Sequence, residues 1–91
     1  MLYAIICIDK PGALDIRKAN REAHLDHVKG SNGQVVQAGP FLDEEGNMCG
    51  SLLIFEAEGV AEAQAWADAD PYAQAGVFKS VEVRPWNRVL G

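Results

Sequence analysis

Cysteine is scarce in this chain: there are two, Cys7 and Cys49, among 91 residues. Two thiols cannot build the disulfide framework that holds small secreted domains together. Both fall in strand-like segments, where reduced core thiols are at home. Long hydrophobic runs are missing as well. The longest, Leu2 to Ile8, has seven residues, against the roughly 18–20 that a membrane span needs. The N-terminus lacks a basic region followed by an apolar core and a small-residue cleavage site. Basic charge is in deficit, with eight Lys and Arg against thirteen Asp and Glu and a net charge of −5. Nucleic-acid binders carry a basic patch or a domain pI above about 9; the pI here is about 4.8. A phosphate-cradling loop is also missing. Gly30-Ser31-Asn32-Gly33 lacks the Lys-Ser/Thr continuation and follows a helical stretch, not a strand. These absences predict a cytoplasmic protein with no membrane and no nucleic-acid partner.

What remains is a globular composition. Hydrophobic residues make up 48% and charged residues 23%, close to the averages of about 45–50% and about 25%, which excludes disorder. At about 100–200 residues per domain, residues 1–91 form one domain. A chain this short buries only about 60–65% of its unfolded surface, so a partner subunit would add stability.

Along the chain, Leu2 to Ile8 is a near-continuous apolar run of the kind found in central strands buried on both faces. Asp9-Lys10-Pro11-Gly12 breaks it. Ala13 to Lys29 has no Gly or Pro and predicts a helix, with Gly30 at its C-terminal stop. Gln34 to Ala38 predicts a short second strand stopped by Gly39-Pro40. Asp43 to Asn47 is a polar hairpin tip, and Met48 to Glu58 a third strand. Val60 to Asp68 predicts a second helix opened by Gly59 and ended by Asp70-Pro71. Phe78 to Val89 is the last strand, and Pro85 within it requires an edge position or a bulge. The order β-α-β-β-α-β is the split βαβ, or ferredoxin-like, α+β pattern: a four-stranded antiparallel sheet with both helices on one face. The other face has no helix to cover it, and the least costly cover is a second copy in a two-fold homodimer.

Chemistry concentrates on the first helix. Arg17, Arg21, His24 and Val28 fall at i, i+4, i+7 and i+11, on one stripe. The stripe reads as a solvated surface or as a ridge facing a cleft. In the cleft, the arginines would hold an anionic group bidentately and His24 would move protons near neutral pH. His27, three residues after His24, reads as a surface or interface residue. No compact set of further ligands accompanies the pair, so no metal is expected. Asp70 either caps the turn at Pro71-Tyr72-Ala73 or holds a histidine ring in one tautomer. Gly39-Pro40 and Gly50-Ser51 are small-residue pairs that permit close approach. Ser51 is placed to donate a hydrogen bond, whereas no adjoining histidine marks it as a nucleophile. Trp66 reads as helix packing, and Trp86 as a dimer or cleft wall.

Taken in order, Arg21-Glu22-Ala23-His24-Leu25, Gln37-Ala38-Gly39-Pro40, Gly50-Ser51-Leu52, Ala69-Asp70-Pro71-Tyr72, Ala75-Gly76-Val77-Phe78 and Val83-Arg84-Pro85-Trp86 resemble the YciI, or YCII-related domain, family over nearly the whole chain. The resemblance implies a dimeric α+β barrel of ferredoxin-like halves. It implies an active-site pocket centred on a His–Asp pair, which maps to His24 and Asp70. Gly39, Pro40 and Ser51 map to its small neighbours, and Arg17 and Arg21 to its helix arginines. It leaves the substrate open, and implies proton removal from an activated carbon or hydroxyl with no cofactor.

Three readings follow. The first is a cofactor-independent lyase, isomerase or hydrolase, with His24 as general base, Asp70 orienting it, and Arg17 and Arg21 binding an anionic, phenolic or lactone-like molecule. The second is a small-ligand-binding or accessory module using the same pocket without turnover. The third is a structural dimer. The fold does not choose among them.

Overall fold

The N-terminal apolar run becomes β1 (Leu2–Asp9) in a computed structural model that describes residues 1–91. Two helices follow, α1 (Leu14–Ala19) and α2 (Arg21–Lys29), then the hairpin β2 (Val35–Leu42) and β3 (Met48–Glu56). The chain ends with α3 (Val60–Asp68), the single turn α4 (Pro71–Gln74) and β4 (Phe78–Trp86). The strands form one antiparallel sheet in the order β2-β3-β1-β4, the ferredoxin-like topology.

Register decides which side chains meet the helices. Side chains alternate along a strand, and in β1 Tyr3, Ile5 and Cys7 are buried against Phe55 and Leu53 of β3. Ala57, Ala63 and Ala67 complete this core beneath α3, with Trp66 and Phe78 packed against it. The small alanines let α3 approach the sheet closely. The alternate residues Leu2, Ala4, Ile6 and Ile8 point to the other face, beside Leu52 and Ile54. There Ile8, Phe41, Leu52 and Trp86 remain exposed. β1 therefore carries apolar side chains on both faces as expected, but the chain covers only one of them.

Several boundaries differ from the sequence reading. The first helix is two, because Asn20 (φ −109°, ψ 7°) leaves the helical region. Its side-chain Nδ2 donates to the Ile16 carbonyl at 2.9 Å, a local bond that competes with the backbone ladder. Gly39-Pro40 does not stop β2, which runs on to Leu42. β2 is an edge strand, where a missing N–H costs no ladder bond. β4 is the other edge and accommodates Pro85 opposite Tyr3. The strand ends at Trp86, short of the expected Val89. Gly30 stays right-handed (φ −68°), and the left-handed turn falls on Asn32 and Gly33. Pro71 opens α4 instead of only ending α3, as suits a proline in a first turn.

Candidate active site

The stripe on the first two helices faces a cleft. Arg17, Arg21, His24 and Val28 all line it, together with Ala38, Gly39 and Pro40 of β2, Ser51 and Leu53 of β3, and Tyr72 of α4. Its volume is about 190 Å³. A cavity of roughly 150 Å³ takes a benzene ring, so the cleft has the size of one substituted ring. The bend at Asn20 leaves the stripe intact, since His24 N–H still donates to the Asn20 carbonyl at 3.0 Å.

His24 and Asp70 meet. The His24 side chain is 10% exposed and Asp70 3%. His24 Nδ1 lies 2.9 Å from both carboxylate oxygens. A carboxylate only accepts, so Nδ1 carries a proton, and in the neutral imidazole the lone pair lies on Nε2. The same Oδ1 accepts from Tyr72 N–H at 2.9 Å as the N-cap of α4. The capping and orienting readings of Asp70 are therefore both met by one side chain. The imidazole stacks on the Tyr72 ring, centroids 4.1 Å apart and planes 13° from parallel. One N–H shared between two carboxylate oxygens, and one ring face, fix its orientation.

Arg17 differs from the expected free clamp. It is 2% exposed, and its fork is occupied by Asp9: Nε donates to Oδ2 at 2.7 Å and Nη2 to Oδ1 at 2.9 Å. Nη2 also donates to Ser51 Oγ at 2.9 Å. Burial works most strongly against the guanidinium charge, but the Asp9 carboxylate and Tyr72 together more than offset it and raise the Arg17 pKa above its ordinary value. The guanidinium carbon lies 4.5 Å from the Tyr72 ring centroid, a cation–π distance. Arg21 is exposed at the rim of the cleft and makes no ion pair.

The remaining candidates separate. His27 leaves the site: its Nε2 lies 3.0 Å from the Trp66 carbonyl and its ring stacks on the indole at 4.3 Å. Trp66 in turn stacks on Phe55, as helix packing requires. Trp86 lies on the open sheet face, opposite Leu2, and not in the cleft wall. The expected close approach holds at Gly50, where a Cβ would sit 2.5 Å from the Cys7 carbonyl oxygen, but not at Gly39, where it would meet nothing within 4 Å.

Two residues of the site went unassigned in the sequence. Asp9 reads there as a turn residue; its signal is a carboxylate at the end of a buried strand, with Arg17 on the next helix. Tyr72 follows the capping Asp70-Pro71 pair, a position that puts its ring beside whatever Asp70 holds. Burial pushes the Tyr72 phenol above its usual range, against the pull of Arg17 and Arg21. It is therefore neutral at physiological pH and able to donate.

A ferredoxin-like α+β chain with a buried His–Asp pair beside a ring-sized cleft defines a structural class of small single-domain proteins. This chain belongs to the YCII-related domain family, whose model matches residues 1–87. It is 40% identical to protein YciI of Escherichia coli, over 99% of this chain and the whole of that protein. It is 36% identical, with the same coverage, to an uncharacterised protein of Haemophilus influenzae. Among solved structures it is similar to 5-chloro-2-hydroxyhydroquinone dehydrochlorinase from Burkholderia phenoliruptrix, in complex with 2,5-dihydroxybenzoquinone. There the identity is 34%, the TM-score 0.88, and the match covers 96% of this chain and 94% of that one. A Bacteroides antibiotic biosynthesis monooxygenase-like protein, at 14% identity and a TM-score of 0.61 over 99% of this chain and 90% of that one, shares the fold.

Proposed function

We propose that this protein is a cofactor-independent enzyme that removes a proton from a small hydroxylated or anionic ring compound, with His24 as general base. The observation that carries the reading is the His24–Asp70 geometry. Both carboxylate oxygens hold Nδ1 at 2.9 Å, so the basic Nε2 is the free nitrogen beside a cleft of about 190 Å³. Asp70 fixes the tautomer and stabilises the imidazolium that forms, the orienting role of a triad carboxylate. Arg21, exposed and unpaired at the rim, draws in the anion, while Gly39 and Pro40 keep the β2 wall low. The similarity to a dehydrochlorinase acting on a chlorinated trihydroxybenzene supports a phenolic substrate. A balanced pathway takes a hydroxyl proton onto Nε2 as the ring ketonises, returns a proton from Nε2 to the ring carbon that bears the leaving group, and expels that group as an anion when a second hydroxyl gives its proton to Nε2.

The reading includes a homodimer closed across the open sheet face, supported by the exposed Ile8, Phe41, Leu52 and Trp86. It also includes a reducing cytoplasm, supported by two free thiols.

Chloride release from 5-chloro-2-hydroxyhydroquinone tests the chemistry. A positioned general base contributes about 10²–10⁴-fold, and His24→Ala is expected to lose that much in kcat while keeping the fold by circular dichroism. Asp70→Asn is expected to lose most of it as well, and ¹⁵N NMR of the His24 ring should show the Nδ1–H tautomer giving way to a mixture. Failure of the wild type to turn over this or related phenols, with His24→Gln binding 2,5-dihydroxybenzoquinone as tightly as wild type, would establish the binding-module reading instead.

A further inference from the structure

The cleft wall away from His24 holds a second polar assembly, built on Asp9, Arg17 and Ser51. We propose that Asp9 is a positioning residue which, through Arg17, makes the Ser51 hydroxyl a hydrogen-bond donor for a negatively charged oxygen on the bound molecule. This rests on the ring-compound reading above and assigns the subsite that takes the charged oxygen.

The hydrogen-bond directions carry the argument. A guanidinium donates and never accepts. Nη2 has two protons; one goes to Asp9 Oδ1 and the other to Ser51 Oγ, both at 2.9 Å. The Ser51 oxygen is therefore an acceptor toward Arg17, and its own proton must point elsewhere. The one side-chain hydrogen bond of Ser51 is this contact, in which its oxygen accepts. Ser51 is 4% exposed and lines the cleft, so that proton has the cleft to point into. Opposite Ser51 on β2 stands Pro40, which has no N–H to compete for the same oxygen.

Asp9 sets the angle. Its bidentate grip on Nε and Nη2 fixes the guanidinium plane, and the plane fixes where the second Nη2 proton points. Asp9 also neutralises Arg17. The bound molecule then meets a hydroxyl polarised by an ion pair behind it, and not a bare cation. Such a donor discriminates by geometry, stabilising an oxygen placed within hydrogen-bond reach of Oγ, as oxyanion donors do. Arg21, at the rim, attracts any anion and is screened by salt. The two cationic residues of the stripe thus divide the work between capture and placement.

The test uses 2,5-dihydroxybenzoquinone as the probe, its affinity measured by absorbance titration and its bound C=O stretch by infrared difference spectroscopy. Ser51→Ala is expected to weaken binding about tenfold, the loss of one charge-assisted hydrogen bond, with the His24 tautomer unchanged in ¹⁵N NMR. Ser51→Thr keeps the hydroxyl and should restore both affinity and the downshifted C=O stretch. Asp9→Asn should weaken the probe to a similar extent, and the Asp9→Asn/Ser51→Ala double variant should be no weaker than either single one, because both act through one bond. If Asp9→Asn fails to fold, the Ser51→Ala and Ser51→Thr pair still decides. Wild-type affinity with the C=O stretch still downshifted in Ser51→Ala, additive losses in the double variant, or no binding of the probe to the wild-type chain would each overturn the assignment. Failure of the catalytic reading shows separately, as turnover that His24→Ala leaves untouched.

Discussion

At the scale of the residue, three buried side chains answer to one neighbourhood with different consequences. Asp70 accepts from His24 and from the Tyr72 amide, so it holds a ring and starts a helix at once. Arg17 is buried and stays charged because Asp9 grips it. Removing one member of such a pair leaves an uncompensated charge, at about 3–5 kcal/mol. Cys7 has no cationic clamp. Burial first, then the Asp70 carboxylate, pushes its thiol from an ordinary 9.0 up to about 12, against Arg17. In the unfolded chain the thiol ionises near its ordinary value, so between pH 9 and about 12 the unfolded state holds fewer protons than the folded one. Stability is therefore complete below that window and lost as pH rises through it, with a slope of at most about 1.4 kcal/mol per pH unit. Tyr72, also raised by burial, acts in the same sense. Urea unfolding across this range should show the declining limb, and Cys7→Ala should flatten it. An unchanged slope in that variant would assign the limb to other groups.

At the scale of the element, short polar side chains decide where helices bend and stop. Asn20 divides the first helix by bonding back to Ile16. Ser31 closes α2: its hydroxyl donates to the Val28 carbonyl at 2.7 Å and accepts from Val35 N–H at 3.2 Å, tying the helix end to the start of β2. Ser31→Ala removes both bonds and leaves the half-buried Val35 amide without its Ser31 partner, at about 1 kcal/mol. A lowered urea midpoint with an unchanged denaturant slope is the expected result, and probe affinity should hold, since Ser31 is not among the residues lining the cleft. Gly50 fixes the β1–β3 approach. Phe41 lies 3.0 Å and the Cys7 carbonyl 2.5 Å from where its Cβ would be, so any side chain there must push β3 off β1 and also crowd Phe41.

At the scale of the whole molecule, the sheet is covered on one side only. Residues of three strands, Ile8, Phe41 and Leu52, expose apolar surface on the open face, with Trp86 at the edge. Burying that surface returns about 25 cal/mol per Å², which a domain of this size needs. Leu52→Glu places a charge in the middle of the face, next to Ile6 in the register. Light scattering behind size exclusion should report a dimer for the wild type and a monomer for Leu52→Glu. A monomeric wild type would sink the dimer reading and leave the cleft chemistry standing.

Much of this protein can be read from residue order. The βαββαβ pattern, the covered and uncovered sheet faces, and the Arg17–Arg21–His24–Val28 stripe follow from local periodicity, because strand and helix repeats of two and 3.6 residues project onto fixed faces. The stripe survives the break at Asn20 since a bend of one residue moves the axis more than the face. The family fragments reached further, placing His24 beside Asp70 across 46 positions. Other features needed the folded chain. Periodicity shows that Arg17 shares a face with His24; only packing shows that Asp9 reaches it first. The Arg17–Ser51 contact, the ring-sized cleft and the departure of His27 to Trp66 arise from segments far apart in sequence. Residue spacing determines the direction in which a side chain leaves its own element. What that side chain meets depends on the sheet register and on how the helices lie across it, and these belong to the tertiary structure alone.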